Sequence, residues 1–239
     1  MVAENKKNTS ACRRTAPDNQ PAADIDMQDA LTRVKAFAEA CFDGASGSHD
    51  WEHTLRVFRL CEKMGRAENA DMDVLRAAAY LHDIGRVFQD ASGGEVCHAE
   101  KGAQMAGPLV ETLPLTDSQK RNIIHCIRSH RFRNHHQPVT VEAKILFDAD
   151  KLDAIGAVGV ARAFLFAGEV GARLHNPGIK VEDAMPYSKN DTGYREFKVK
   201  LCKIKDHRLT AEGRKLARKR HAFMDDFFNR FLDEYEGKR

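Results

Sequence analysis

Tyr80-Leu81-His82-Asp83-Ile84-Gly85 is the stretch on which the reading of this chain turns. Its histidine and aspartate close an apolar, alanine-rich helical run from Val74 to Ile84, where polar and charged groups cost free energy unless a partner compensates them. Helix neighbours are turned by about 100°, so His82 and Asp83 can share one ion only if it lies against the face between them. An ion needs more ligands than these two, and other segments must supply them.

Two other helical patterns aim titratable groups inward. His53, Val57, Leu60 and Met64 recur at steps of four, three and four, which puts the histidine on the apolar stripe. Leu75, Ala78 and His82 repeat the arrangement, and Asp150 shares a face with Ala154, Ala157 and Ala161 in an expected long helix from Val141 to Phe166. Each group would need its own buried partner if it stood alone. A shared ion satisfies them together, and imidazole with carboxylate and no nearby thiolate suits Mn, Fe, Co, Ni or Zn.

The remaining pattern is helical throughout. Periodic segments begin near Met27, after Ser48 or Asp50, near Asp71, at His98 and after Thr116 or Asp117. Late helices carry Phe197, Leu201 and Ile204, then a stripe of Leu216, Phe223, Phe227, Phe231 and Tyr235 expected in the core. No strand alternation is long enough to build a sheet, so the expected fold class is all-α. Residues 1–25 lack periodicity and read as a disordered N-terminal extension, leaving 26–239 as a single domain. Residues 168–194, with Gly171, Pro177, Gly178, Pro186 and Gly193, read as an irregular loop.

Composition narrows the classes of function. A charged fraction of 31% and a net charge of +3 over 239 residues describe a solvated surface and give no sign of nucleic-acid binding. No run approaches the roughly 18 apolar residues of a membrane span. Six cysteines without a CxxC pair read as reduced thiols, and a cytoplasmic location is expected.

His53-Thr-Leu-Arg56-Val57, His82-Asp83-Ile-Gly85 and Ala149-Asp150-Lys151-Leu152-Asp153 resemble the H…HD…D signature of the HD superfamily of metal-dependent phosphohydrolases. The likeness to its small stand-alone bacterial and archaeal members extends through Ser48-His49-Asp50, His98-Ala-Glu100-Lys-Gly102-Ala103, Ile127-Arg-Ser-His130 and Thr210 to Met224. The resemblance implies an all-α HD-domain bundle with its metal site in the core. It places a first divalent ion on His53, His82, Asp83 and Asp150. In members with two ions, histidines at the places of His98 and His130 complete the set, with Asp83 bridging. His125 competes for the second of these places, and His98, at a helix start, could instead lie at the surface.

Two ions about 3.5 to 4 Å apart would activate a water and clamp the leaving oxygen of a phosphoester. Around them, Arg56, Arg86 and Lys151 are candidates for recognising phosphate, with Arg56 and Lys151 foremost, and Lys151 and Asp153 flank Asp150. His49 is a candidate proton donor to the leaving group. Arg131, Arg133, His135 and His136 read as a solvated basic loop. The expected function is hydrolysis of a nucleotide or another small phosphorylated metabolite. An HD-fold di-iron oxygenase and a non-catalytic sensor of metal or nucleotide are the alternatives. Neither the oligomeric state nor the substrate follows from the sequence.

Overall fold

The computed structural model describes residues 26–42, 50–131 and 136–239, which are helical with no strand among them. In chain order the helices are α1 (Met27–Ala40), α2 (Trp51–Ala67), α3 (Met72–Leu81), α4 (Arg86–Ala91), α5 (His98–Glu111), α6 (Asp117–Ser129), α7 (Val141–Asp153), α8 (Gly156–Glu169), α9 (Gly193–Val199) and α10 (Ala211–Tyr235). The 1–25 segment expected to be disordered, and His49, lie outside the described residues.

α3 is the axle of the bundle. Val74, Leu75, Ala77, Ala78, Ala79 and Leu81 are all at 0% exposure, so most of the helix's circumference is apolar and covered, leaving only a narrow polar stripe through Asp73 and Arg76. A helix of that kind is stable only when surrounded. Its alanines, which add no bulk and have the best helix propensity, let α1, α2, α6 and α7 approach it from several sides. Asp71 starts α3 by accepting from the Asp73 and Val74 amides. Thr116 starts α6 with a reciprocal capping box to Gln119. One apolar cluster runs from Ala30 and Val34 through Met64, Leu75, Ile127 and Leu146 to Met224 and Phe228.

Three expectations are corrected here. The run through His82-Asp83 is not helical to Ile84: α3 ends at Leu81, His82 is its C-cap, and residues 82–85 form a turn into α4. That turn needs Gly85, because a Cβ there would collide with the His98 carbonyl and lie 2.6 Å from the Gly102 amide nitrogen. The expected helix from Val141 to Phe166 is two helices. Gly156 adopts φ +82°, a left-handed conformation that favours glycine, and the Arg220 guanidinium caps the freed Leu152 carbonyl. Finally, the fully covered row of α10 is Ala217, His221, Met224 and Phe228, whereas Phe223 and Tyr235 are exposed. Aromatic residues crowd both rows of α10, and which row faced inward depended on α8 and α9.

The end of the chain is pinned to α7 by one carboxylate. Asp148, fully buried, accepts from the Thr210 amide and hydroxyl at 2.8 Å each and from the Leu209 amide at 3.0 Å. Arg208 lies 3.5 Å from its other oxygen. A Cβ on Gly213 would collide with Asp148 Oδ2. We therefore expect Gly213→Ala to destabilise the fold by about 1–3 kcal/mol, as overpacking does. Thermal denaturation followed by circular dichroism checks this, with Tm falling by about 2–4 °C per kcal/mol for a chain of this size.

Candidate metal centre

Four buried histidines surround Asp83. His53 comes from the first turn of α2, where Asp50 accepts from its amide. His82 and His130 cap the C-termini of α3 and α6, and His98 opens α5. The exposures are 1% for His53 and His130, 0% for His82, 4% for His98 and 3% for Asp83. Because the chain turns at 82–85, the Asp83 carboxylate stands between two pairs of rings. Its Oδ2 lies 3.8 Å from His53 Nε2 and 4.0 Å from His82 Nε2. Its Oδ1 lies 3.2 Å from His98 Nε2 and 3.6 Å from His130 Nε2. Asp150, from α7, adds Oδ1 at 3.3 Å from His53 Nε2.

The outward nitrogens fix the state of the inward ones. His82 Nδ1 donates to the Ala79 carbonyl at 2.8 Å, and His130 Nδ1 to the Ile127 carbonyl at 2.7 Å. His98 Nδ1 donates to Gln89 Oε1 at 2.9 Å, an oxygen also held by Arg131. His53 Nδ1 donates to Asp153 Oδ2 at 2.8 Å. A neutral imidazole that donates through Nδ1 presents a lone pair at Nε2. His82 Nε2 is such a group, buried and with no hydrogen-bond partner among the described residues. His98 Nε2 and His130 Nε2 face each other at 3.0 Å, and with both rings donating through Nδ1 each presents a lone pair there. A cation between such groups turns their repulsion into coordination, so the residues fit a metal centre. His53, His82 and Asp83 form one group of ligand atoms within 4.8 Å of one another, and Asp83, His98 and His130 form a second.

The electrostatics prepare these groups as ligands. Burial alone would raise the Asp83 carboxyl, but His82, His98 and His130 outweigh it and hold it well below the usual carboxylate range. Asp150 is likewise held low against its burial, by Lys151 and His53. Burial pushes His82 down to about 4 and His98 down to about 3, despite the pull of Asp83 on each. His53 goes the other way: burial lowers it, but hydrogen bonds to Asp150 and Asp153 prevail and raise it to about 9.

The other residues singled out from the sequence are distributed around this centre. Lys151 Nζ sits 2.6 Å from Asp150 Oδ2. Arg86 directly follows the 82–85 turn and lies 3.4 Å from Asp90. Arg56 turns away from the inward nitrogens and grips Asp153, with Nε at 2.8 Å and Nη2 at 3.1 Å. His125 is not in the cluster; its Nε2 accepts from the Val139 amide. Of the basic loop, Arg133 and His135 lie outside the described residues, and His136 pairs with Glu100 at 2.9 Å. Gln89, buried on the six-residue α4, escaped sequence reading, since no periodicity marks so short a helix. Its spacing of nine residues before His98 carried no signal of its own.

A proton balance follows. In the metal-free protein at pH 7.5, His53 lies below its pKa of about 9 and is protonated, whereas His82 and His98 are above theirs and neutral. Binding of a first divalent ion should release close to one proton at pH 7 to 8, with the release vanishing above about pH 10. Isothermal titration of Co2+ in two buffers of different ionisation enthalpy measures it.

Comparison with known proteins places this geometry in a family. Residues 50–155 match the HD domain. YpgQ of Bacillus subtilis is 31% identical over 212 residues, spanning 86% of this chain and 93% of YpgQ. The crystal structure of YpgQ in complex with ADP superposes with a TM-score of 0.65 at 28% identity, over 88% of this chain and 96% of that one. An HD-superfamily hydrolase from Bacillus thuringiensis gives a TM-score of 0.70 at 26% identity, over 88% and 99% of the two chains. The matched span runs from the Asp50 cap through Asp153, the stretch that supplies every residue of the cluster, and the chain belongs to the HD-domain superfamily.

Proposed function

We propose that this protein is a divalent-metal-dependent phosphohydrolase acting on a nucleotide or another small phosphorylated metabolite. The observation that carries the reading is the placement of Asp83, with one oxygen toward His53 and His82 and the other toward His98 and His130. That is the arrangement of a carboxylate shared by two cations. His53, His82, Asp83 and Asp150 would hold the first ion, and Asp83, His98 and His130 the second. Divalent ions so held would polarise a phosphoryl oxygen and lower the pKa of a bound water.

The remaining groups assist as fixed charges. Lys151, half-buried beside Asp150 and with its ammonium 5.7 Å from the centre of the Phe147 ring, can meet an equatorial phosphoryl oxygen without leaving its carboxylate. Arg86 and Arg131 bring positive charge to the His98 side of the centre. Arg56, engaged by Asp153, serves the site through that carboxylate, as a support for His53. His49, four residues before His53, remains our candidate for giving the leaving oxygen its proton. Nucleotides are favoured as the substrate class because YpgQ, similar over nearly its whole length, was crystallised with ADP.

Metal analysis of the purified protein, followed by a screen of nucleotides and sugar phosphates with Mn2+ or Ni2+ under nitrogen, tests the proposal. We expect turnover of at least one phosphoester and a loss on the order of 100-fold or more in Asp83→Asn. Oxygen consumption dependent on an organic substrate, with iron bound and no phosphoester cleaved, would instead identify an oxygenase.

A further inference from the structure

The four imidazoles of the centre are not supported alike. Three send their outward Nδ1–H to neutral acceptors: the carbonyls of Ala79 and Ile127, and the side-chain oxygen of Gln89. The fourth, His53, sends its own to a carboxylate that is 1% exposed. We propose that Asp153 is a positioning residue that sets how tightly the centre holds its first divalent ion. This rests on the reading of the cluster as a metal centre given above.

Three features of the geometry carry the assignment. First, Asp153 follows Asp150 by three residues on α7, so both carboxylates lie on nearly the same side of one helix. They take the His53 ring from its two ends: Asp150 Oδ1 stands 3.3 Å from Nε2, and Asp153 Oδ2 stands 2.8 Å from Nδ1. The ring can neither flip nor tilt without losing a buried charge-assisted contact. Second, Asp153 is itself fixed. Arg56 of α2 grips both of its oxygens, and Arg162 of α8 reaches Oδ2 at 2.6 Å. Four donors from two helices, α2 and α8, converge on this one carboxylate of α7. Third, this convergence depends on the break at Ala154-Ile155-Gly156. In one continuous helix, Arg162, nine residues after Asp153, would rise about 13 Å along the axis, whereas the turn at Gly156 folds α8 back to it.

A carboxylate behind a metal-bound imidazole fixes the tautomer and strengthens the ring as a donor. An amide or carbonyl does the first and less of the second. Asp153 therefore distinguishes the His53 side from the His98 side, where Gln89 holds the ring and Arg131 adds positive charge behind it. The two sides should load in order, His53 side first.

Co2+ titration of the metal-free, full-length protein, read by calorimetry and by the visible spectrum of the bound ion, tests this. Asp153→Asn should weaken the first binding event by about 10- to 100-fold and change its spectrum, while the second event stays within about two-fold. Because that variant leaves two guanidinium groups around a neutral amide, Asp153→Asn/Arg162→Gln is measured beside it, with thermal denaturation in chelator for each. We expect the double variant to recover stability and to keep the weakened first event. First-event affinity within two-fold of wild type, in either folded variant, would overturn the assignment. Failure of the wild-type protein to take up Co2+ at all would remove the metal reading, and this inference with it.

Discussion

One carboxylate facing four imidazoles is the constraint that the rest of this structure accommodates. Asp83 is almost fully buried and held ionised, a state that costs several kcal/mol unless surrounding groups compensate it. No single helix can supply that compensation, because side chains on one face recur only every three or four residues. The chain brings His53, His82, His98 and His130 from α2, α3, α5 and α6. Three of these residues occupy helix termini, as the first residue of α5 or the C-caps of α3 and α6. A terminus projects its side chain beyond the packed cylinder of the helix, which is how several rings can meet at one point inside a bundle.

The scaffold is built outward from that requirement. α3 is alanine-rich, so its neighbours can pack closely enough to bring their ends together. Gly85 permits the 82–85 turn to lie against the start of α5, where a side chain in its place would strike the backbone carrying His98. Asp148 and Asp153, on the same helix as Asp150, tie α7 to α10, α2 and α8. α7 is thus both a source of one candidate ligand and the element through which the C-terminal helices stiffen the centre.

Much of this was legible in residue order. The inward histidines on 3–4 stripes, the His82-Asp83 pair, the helix starts at Asp71 and Thr116 and the all-α class all follow from local periodicity and capping chemistry. What failed did so for identifiable reasons. The helix of 141–166 looked continuous because Ala-Ile-Gly-Ala interrupts neither apolar character nor spacing; only the positive φ of Gly156, filled against Arg220, breaks it. The α10 stripe was displaced because aromatic residues occupy two adjacent rows. Gln89 gave no signal, since its importance lies in touching His98 and Arg131 rather than in any pattern.

The sequence by itself determined which residue types recur at which helical phase, and hence that imidazoles and carboxylates would be directed into an apolar interior. Phase is a local property, written into 3.6 residues per turn. Only the tertiary structure decided how those groups are shared: that Asp83 divides its oxygens between two histidine pairs, that Arg56 serves Asp153, and that His130 and not His125 joins the cluster. Sharing depends on distances between helices that are remote in the chain, and those are set by side-chain packing, glycine contacts and a broken helix, none of which has a sequence period.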